Sequence, residues 1–316
     1  MLLRLLHRAG VLLASVAVAS VLVFGFMRVL PGDPARVALG INASDAAVAQ
    51  LRAQFGLDRP LVVQYLDWVR GLVTLDPGIE FVSKAPIGPQ IADRLQVTLW
   101  LVATSMLLAL VIAVPVGVWM AVRHRHVDGV VMSGLSQVGV AVPAFLMGIV
   151  LISVFAVRLR WVPSGGWAVP AQDPVGFLKR LALPSLSLAL VQAAVLARYV
   201  RSAVLDVLRE DYLRTARAKG LRPVQALWRH GMRNAAVPVV TVLGLQLATL
   251  LIGAVVIERV FSIPGLGSLL LDSVAKRELL TVQAVVMLLV VAVLVINFVV
   301  DALYLAIDPR LRAGAR

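Results

Sequence analysis

The sequence predicts an all-α, polytopic membrane protein with six transmembrane helices. Three observations carry that prediction. First, 60% of the 316 residues are hydrophobic and only 15% are charged, against roughly 45–50% and about 25% in a soluble domain. The mean hydropathy is +0.92. Second, six stretches hold no charged residue: Ala9–Met27, Leu95–Val122, Val130–Val157, Leu181–Ala197, Ala235–Ile257 and Leu279–Val300. Third, these run from 17 to 28 residues, bracketing the roughly 20 that cross about 30 Å of hydrocarbon. Lipid offers the backbone no hydrogen-bond partner, so runs this long must be helical. The composition argues against a soluble enzyme, a disordered chain and a nucleic-acid-binding domain. A net charge of +13 would point to nucleic acid in a soluble protein, but in a membrane protein basic residues collect on cytoplasmic loops. Cysteine is absent, which excludes disulfides, Cys-ligated zinc, iron–sulfur clusters and a thiol nucleophile.

Residues 1–30 form the N-terminus and the first span. Arg4, Arg8 and the Ala17-Val18-Ala19 run resemble a signal peptide. The apolar run continues to Met27, too long for the usual signal core, so an uncleaved span is favoured. With the N-terminus inside, the inner segments hold sixteen basic residues and the short outer loops seven. The remaining seven lie in the long first outer segment, which is discounted because long segments cross largely regardless of charge. Both termini are therefore expected in the cytoplasm.

Residues 31–94 are expected to form a small outer helical domain. Ser44 suits the N-cap of a helix with Val48, Leu51 and Phe55 on its apolar face and Gly56 as its stop. Asp58 and Pro60 open a second helix, with Val62, Tyr65, Val69 and Leu72 on one face. Two such helices cannot bury a core alone. They must lie on the membrane helices or on a partner.

Residues 95–316 hold the second to sixth spans. The 28-residue runs leave room for interfacial turns or tilt. Small residues recur every fourth position in two rows, Ala109/Ala113/Gly117 and Ala189/Ala193/Ala197. Such rows let helix backbones approach closely, although ordinary alanine-rich membrane helices show them too. Polar residues inside spans turn toward other helices or a wet cavity. Gln137, Gln192, Gln246, Thr249 and Asn297 are thus candidates for a translocation path, with plain interhelical hydrogen bonding the competing reading. Ser133, Ser136 and Gln283 are also polar span residues. No ionisable side chain lies deep in a span, which argues against an ion-coupled carrier or proton pump.

The inner segment 198–234 is the most informative. Its residues Arg198–Arg233 carry nine basic and three acidic side chains. Leu213, Ala216 and Gly220 share one helical face; Gly220 suits a C′ position needing φ > 0, and Pro223 the first position of the next helix. Helix, tight turn and second helix should lie flat on the cytoplasmic side. Small residues at 216, 218 and 220 leave room for another surface. Composition alone leaves lipid headgroups and a docking protein equally open as what this segment touches.

At this segment the chain resembles a known family. Tyr212, Leu213, Arg214, Thr215, Ala216, Arg217, Ala218, Lys219, Gly220 and Leu221, followed by His230-Gly231-Met232-Arg233-Asn234 and Pro238, look like the cytoplasmic "EAA" loop of ABC importer membrane subunits. The version is similar to the dipeptide/oligopeptide/nickel importer permeases. Leu30-Pro31-Gly32-Asp33-Pro34, then Gly56-Leu57-Asp58-Arg59-Pro60 with Gln64-Tyr65, resemble the family's outer motifs. So do Gly253–Glu258, Phe261, Pro264–Gly267, Asn297, Asp301, Tyr304 and Asp308-Pro309-Arg310 further on. The resemblance implies the type I ABC importer permease fold and a "B-type" subunit in the bacterial inner membrane. It implies Tyr212–Leu221 as the coupling element to two ABC ATPases. It also implies a homologous second permease, an extracytoplasmic solute-binding protein, and ATP with magnesium used by the partners rather than bound by this chain. Peptides are the implied substrates, with nickel or a glutathione-like solute as alternatives; a standalone channel or ion-coupled carrier, and further a membrane scaffold, are the readings from other classes.

Three positions depart from the family pattern: Leu75-Asp76-Pro77-Gly78 stands for Gly-Asp-Leu-Gly, Arg277-Glu278 for Arg-Asp, and Thr215-Ala216-Arg217 for Glu-Ala-Ala. No phosphate-binding Gly-x-x-x-x-Gly-Lys-Ser/Thr loop exists, so this chain should not hydrolyse ATP. Pro163-Ser164-Gly165-Gly166 reads as a tight turn. His124 and His126 with Arg123 and Arg125 read as a solvated loop rather than a metal site.

Overall fold

The computed structural model describes residues 2–29, 33–39 and 43–307. The motif residues Leu30, Pro31, Gly32 and Asp308–Arg310 lie outside them, as does the side chain of Tyr304. The regular elements among the described residues are all helical, apart from one isolated antiparallel bridge between Ile79 and Pro86. In chain order they are α1 (Leu2–Val29), α2 (Pro34–Leu39), α3 (Asp45–Gln54), α4 (Leu61–Val73), α5 (Ile87–Val122), α6 (Val127–Ala141), α7 (Ala144–Leu151), α8 (Pro174–Leu208), α9 (Asp211–Ala218), α10 (Pro223–Ala226), α11 (Met232–Val260), α12 (Leu266–Lys276) and α13 (Leu279–Ile307). Two compact units result. One is built on Leu99–Ile263 with α13 from Ile296; the other is Leu6–Thr98 with Pro264–Val295.

Five described helices are long and apolar enough to cross a membrane: α1, α5, α8, α13, and α10 continued through a π-helical turn (Leu227–Gly231) into α11. The third apolar run behaves differently. It is split into α6 and α7, bent by 100°. The break is local chemistry: Pro143 forces the residue before it out of the helical region, and Val142 is extended at φ −84°, ψ 121°. The 28-residue run is thus a sharply bent helix pair, of the kind that makes a broken span or a re-entrant loop, rather than one straight helix.

In the first unit the small-residue rows are packing devices. Ala109 and Ala113 are fully buried. A Cβ on Gly117 would sit 2.6 Å from Val200 and 2.7 Å from the Ala197 carbonyl, so α5 and α8 meet where only glycine fits. Ser136 Oγ donates to the Ala194 carbonyl at 2.7 Å, and the Thr104 and Ser185 hydroxyls pair at 2.7 Å. The Pro163–Gly166 turn lies against the end of α11. Gly166 N–H donates to the Phe261 carbonyl at 2.8 Å, and a Cβ on Gly165 would collide with that oxygen.

In the second unit, Asp33 accepts the Ala35 N–H at 3.1 Å and so caps α2. Ser44 caps α3 through the Ala47 N–H as expected. Gly56, at φ +63°, closes α3: Gly56 N–H reaches the Ala53 carbonyl and Leu57 N–H the Arg52 carbonyl, the Schellman pattern. Helix α4 settles what its apolar face covers. Trp68, Tyr65, Val69 and Leu72 pack on Phe24, Val16 and Val23 of α1 and on Met287 and Val291 of α13. Tyr65 Oη pairs with Ser20 Oγ at 2.8 Å. Val62, expected on that face, is instead 69% exposed; Trp68 takes the inner position.

Candidate functional site

Helix α9 is short and strongly two-faced. Asp211 in its first turn suits the positive end of the helix dipole. Leu213 is fully buried and Ala216 nearly so, in one cluster with Val118 and Ala121 of α5, Val204 and Val207 of α8, and Leu227. Burying Leu213 contributes about 1.5–3 kcal/mol. The opposite face exposes Arg214, Thr215, Arg217, Ala218 and Lys219. Ala216 therefore looks into its own chain. Of the three small residues expected to admit another surface, only Ala218 and Gly220 are exposed.

The reversal after α9 follows from one glycine. Gly220 holds φ +95°, with its N–H on the Arg217 carbonyl and the Leu221 N–H on the Ala216 carbonyl. These are the two bonds of a Schellman motif, and its hydrophobic contact is present because Leu221 packs on the same cluster. Nothing lies within 4 Å of where a Gly220 Cβ would stand, so this turn faces open space. Pro223 opens α10, and the Gln225 side chain accepts the Arg222 N–H at 3.2 Å.

Two residues quoted only as motif letters acquire reasons. Asn234 Nδ2 donates to Tyr212 Oη at 2.8 Å, tying α9 to the start of α11. Gly231 gives room: a Cβ there would stand 2.8 Å from Val207 and 3.0 Å from Leu227. Tyr212 through Leu221 is thus seated on the ends of α5, α8 and α11, with a basic outward face. The Arg214–Asp211 pair on it is exposed on both sides and adds little.

The five polar span residues are not brought together. Among the described residues no hydrogen bond joins any two of them. Gln137 is exposed on α6, and Gln246 and Asn297 are partly buried. Thr249 is exposed and returns its hydroxyl to the Leu245 carbonyl of its own helix. Gln192 is 6% exposed, and its Oε1 has no hydrogen-bond partner. An apolar cavity of about 250 Å³, lined by Ile112, Met132, Ser136, Leu190 and Ala193 among others, contains none of the five.

Sequence reasoning missed two buried carboxylates in the second unit. Glu278, 1% exposed, accepts the backbone N–H groups of Phe81, Val82 and Ser83 at 2.7, 2.8 and 3.1 Å. Glu80 accepts the Thr281 hydroxyl at 3.0 Å and the Ser83 hydroxyl. The only signal was that Glu278 departs from the family's aspartate. Among the described residues no three His, Asp or Glu side chains are grouped to hold a metal ion.

Residues 113–313 match the family described as "Binding-protein-dependent transport system inner membrane component". Residues 1–102 match its N-terminal membrane component. The chain belongs to this family of ABC importer permeases. It is 43% identical over 302 residues, 95% of this chain and 96% of the relative, to the glutathione transport system permease protein GsiC of Salmonella typhi. The figures are the same for the Escherichia coli protein. Two inward-facing crystal forms of the MetNI methionine ABC transporter share the fold, with TM-scores of 0.57 and 0.59 at 20% and 21% identity. Each covers 69% of this chain and 96% of the solved chain. The permease is thus a multi-pass inner-membrane transport subunit. In ABC importers ATP hydrolysis belongs to separate subunits, and a binding protein delivers the solute.

Proposed function

We propose that this permease forms half of the translocation path for a glutathione-type or other short peptide. The 43% identity to glutathione permeases over nearly the whole of both chains supports this reading. A homologous permease completes the path. Both termini lie in the cytoplasm, residues 31–94 form the outer domain that meets the binding protein, and residues 95–316 form the permease core. ATP and magnesium bind the two ATPases, whose closure on ATP moves Tyr212–Leu221. That segment is suited to act as a lever because Leu213 and Ala216 anchor it to three helices while its basic face stays open. The spans then alternate access, and Gln137, Gln192, Gln246, Thr249 and Asn297 are the polar positions available to a passing solute. Gln192, buried with an unpartnered carbonyl oxygen, is the first of these to test.

Reconstituting the full transporter with its binding protein and measuring ATP-driven uptake of labelled glutathione, a dipeptide and nickel tests the substrate. Glutathione or dipeptide uptake supports the proposal; transport of nickel alone overturns it.

A further inference from the structure

Within the second unit, a cavity of about 320 Å³ opens beside the last turn of α1, the middle of α4 and the first turn of α13. Its wall is aromatic, with Phe24, Phe55, Trp68 and Phe81. Its charged residues have both signs: Arg28 and Arg59 against Asp67 and Asp76. Two wall residues each carry a buried polar atom without a hydrogen-bond partner, the acceptor Gln64 Oε1 and the donor Trp68 Nε1. Leaving such atoms unpaired is costly, so the site holds unused capacity for a polar guest. Arg28 lies with its guanidinium 5.0 Å from the Phe24 ring centre, and no described carboxylate pairs with it. Arg59 is held by Asp67 at 2.8 Å, but both are about half exposed, a pairing weak enough to exchange.

Position decides among guests. Arg28 ends one membrane-crossing helix and Leu279 begins another, so the cavity stands at the depth of lipid headgroups, where aromatic and basic side chains gather. We propose that it is a phospholipid headgroup site, selective for a headgroup carrying both a phosphate and a primary amine. The two guanidinium groups suit the phosphate, the carboxylates suit the amine, and the aromatic wall suits the glycerol and upper acyl carbons. A bound lipid would thereby fix the residue 57–81 segment against the ends of α1 and α13.

Native mass spectrometry of the detergent-extracted transporter tests this, with phosphatidylethanolamine, phosphatidylglycerol, free phosphoethanolamine and a dipeptide titrated in turn. One saturable copy of phosphatidylethanolamine, bound in preference to phosphatidylglycerol, is expected. Arg28→Gln should weaken it about tenfold and Trp68→Phe, which keeps the ring and removes the N–H, about fivefold. Equal binding of both lipids, unchanged in either variant, overturns the proposal in favour of non-selective surface lipid. Displacement of the lipid by free phosphoethanolamine or the dipeptide at comparable concentration overturns it in favour of a soluble zwitterion. Selective binding that neither variant weakens also overturns it, because the lipid then sits elsewhere; if one variant fails to fold, the other still reports on the cavity.

Discussion

The Phe81 backbone N–H donates a 2.7 Å hydrogen bond to the Glu278 carboxylate, joining residues 197 positions apart. With Val82 and Ser83 donating as well, one side chain organises a loop that has little regular structure of its own. Glu278→Gln puts an amide N–H₂ group where backbone donors converge. It should cost about 1–3 kcal/mol and lower the melting temperature of the purified transporter. An unchanged melting curve contradicts this account of the loop.

Leu213→Ala and Arg217→Ala separate the two faces of α9. The first empties a fully buried position and should cost about 2–5 kcal/mol, read as a lower melting temperature. The second changes an exposed residue and should move stability by no more than about 0.5 kcal/mol, while reducing co-purification of the ATPases. If Arg217→Ala leaves ATPase association and transport intact, its face is not the contact.

Gly220→Trp should uncouple transport without preventing membrane insertion. Open space surrounds the position, so the new side chain meets no neighbour inside this chain. It meets the φ of +95°, which costs a non-glycine residue about 1–2 kcal/mol, and it meets whatever docks there. Gly220→Ala bears the same backbone cost without the bulk and should transport better. Pull-down of the ATPases and uptake of substrate are the measurements. Normal coupling in the tryptophan variant would favour lipid headgroups as the partner of this loop.

Purified without its partners, the chain should show no ATPase activity, because it has no phosphate-cradling loop. Phosphate release by a preparation free of ATPase subunits would contradict the assignment of hydrolysis to those subunits.

The sequence by itself determined what short-range physics controls. Apolar runs set the spans, because lipid leaves a long uncharged segment no fold but a helix. Ser44, Gly56, Gly220 and Pro223 set helix ends, because capping and positive φ are properties of single residues and their nearest neighbours. Pro143 acts as locally, because a proline bars the residue before it, Val142, from the helical region. Tertiary structure alone decided the pairings. Ala216 turns inward because α5 and α8 end beneath it, and Trp68 displaces Val62 because Phe24 of α1 stands opposite. Glu278 and Phe81, like Asn234 and Tyr212, carry no periodic signal of their partnership. A polar pair leaves no trace in hydropathy, and its members meet only once the helices between them have packed.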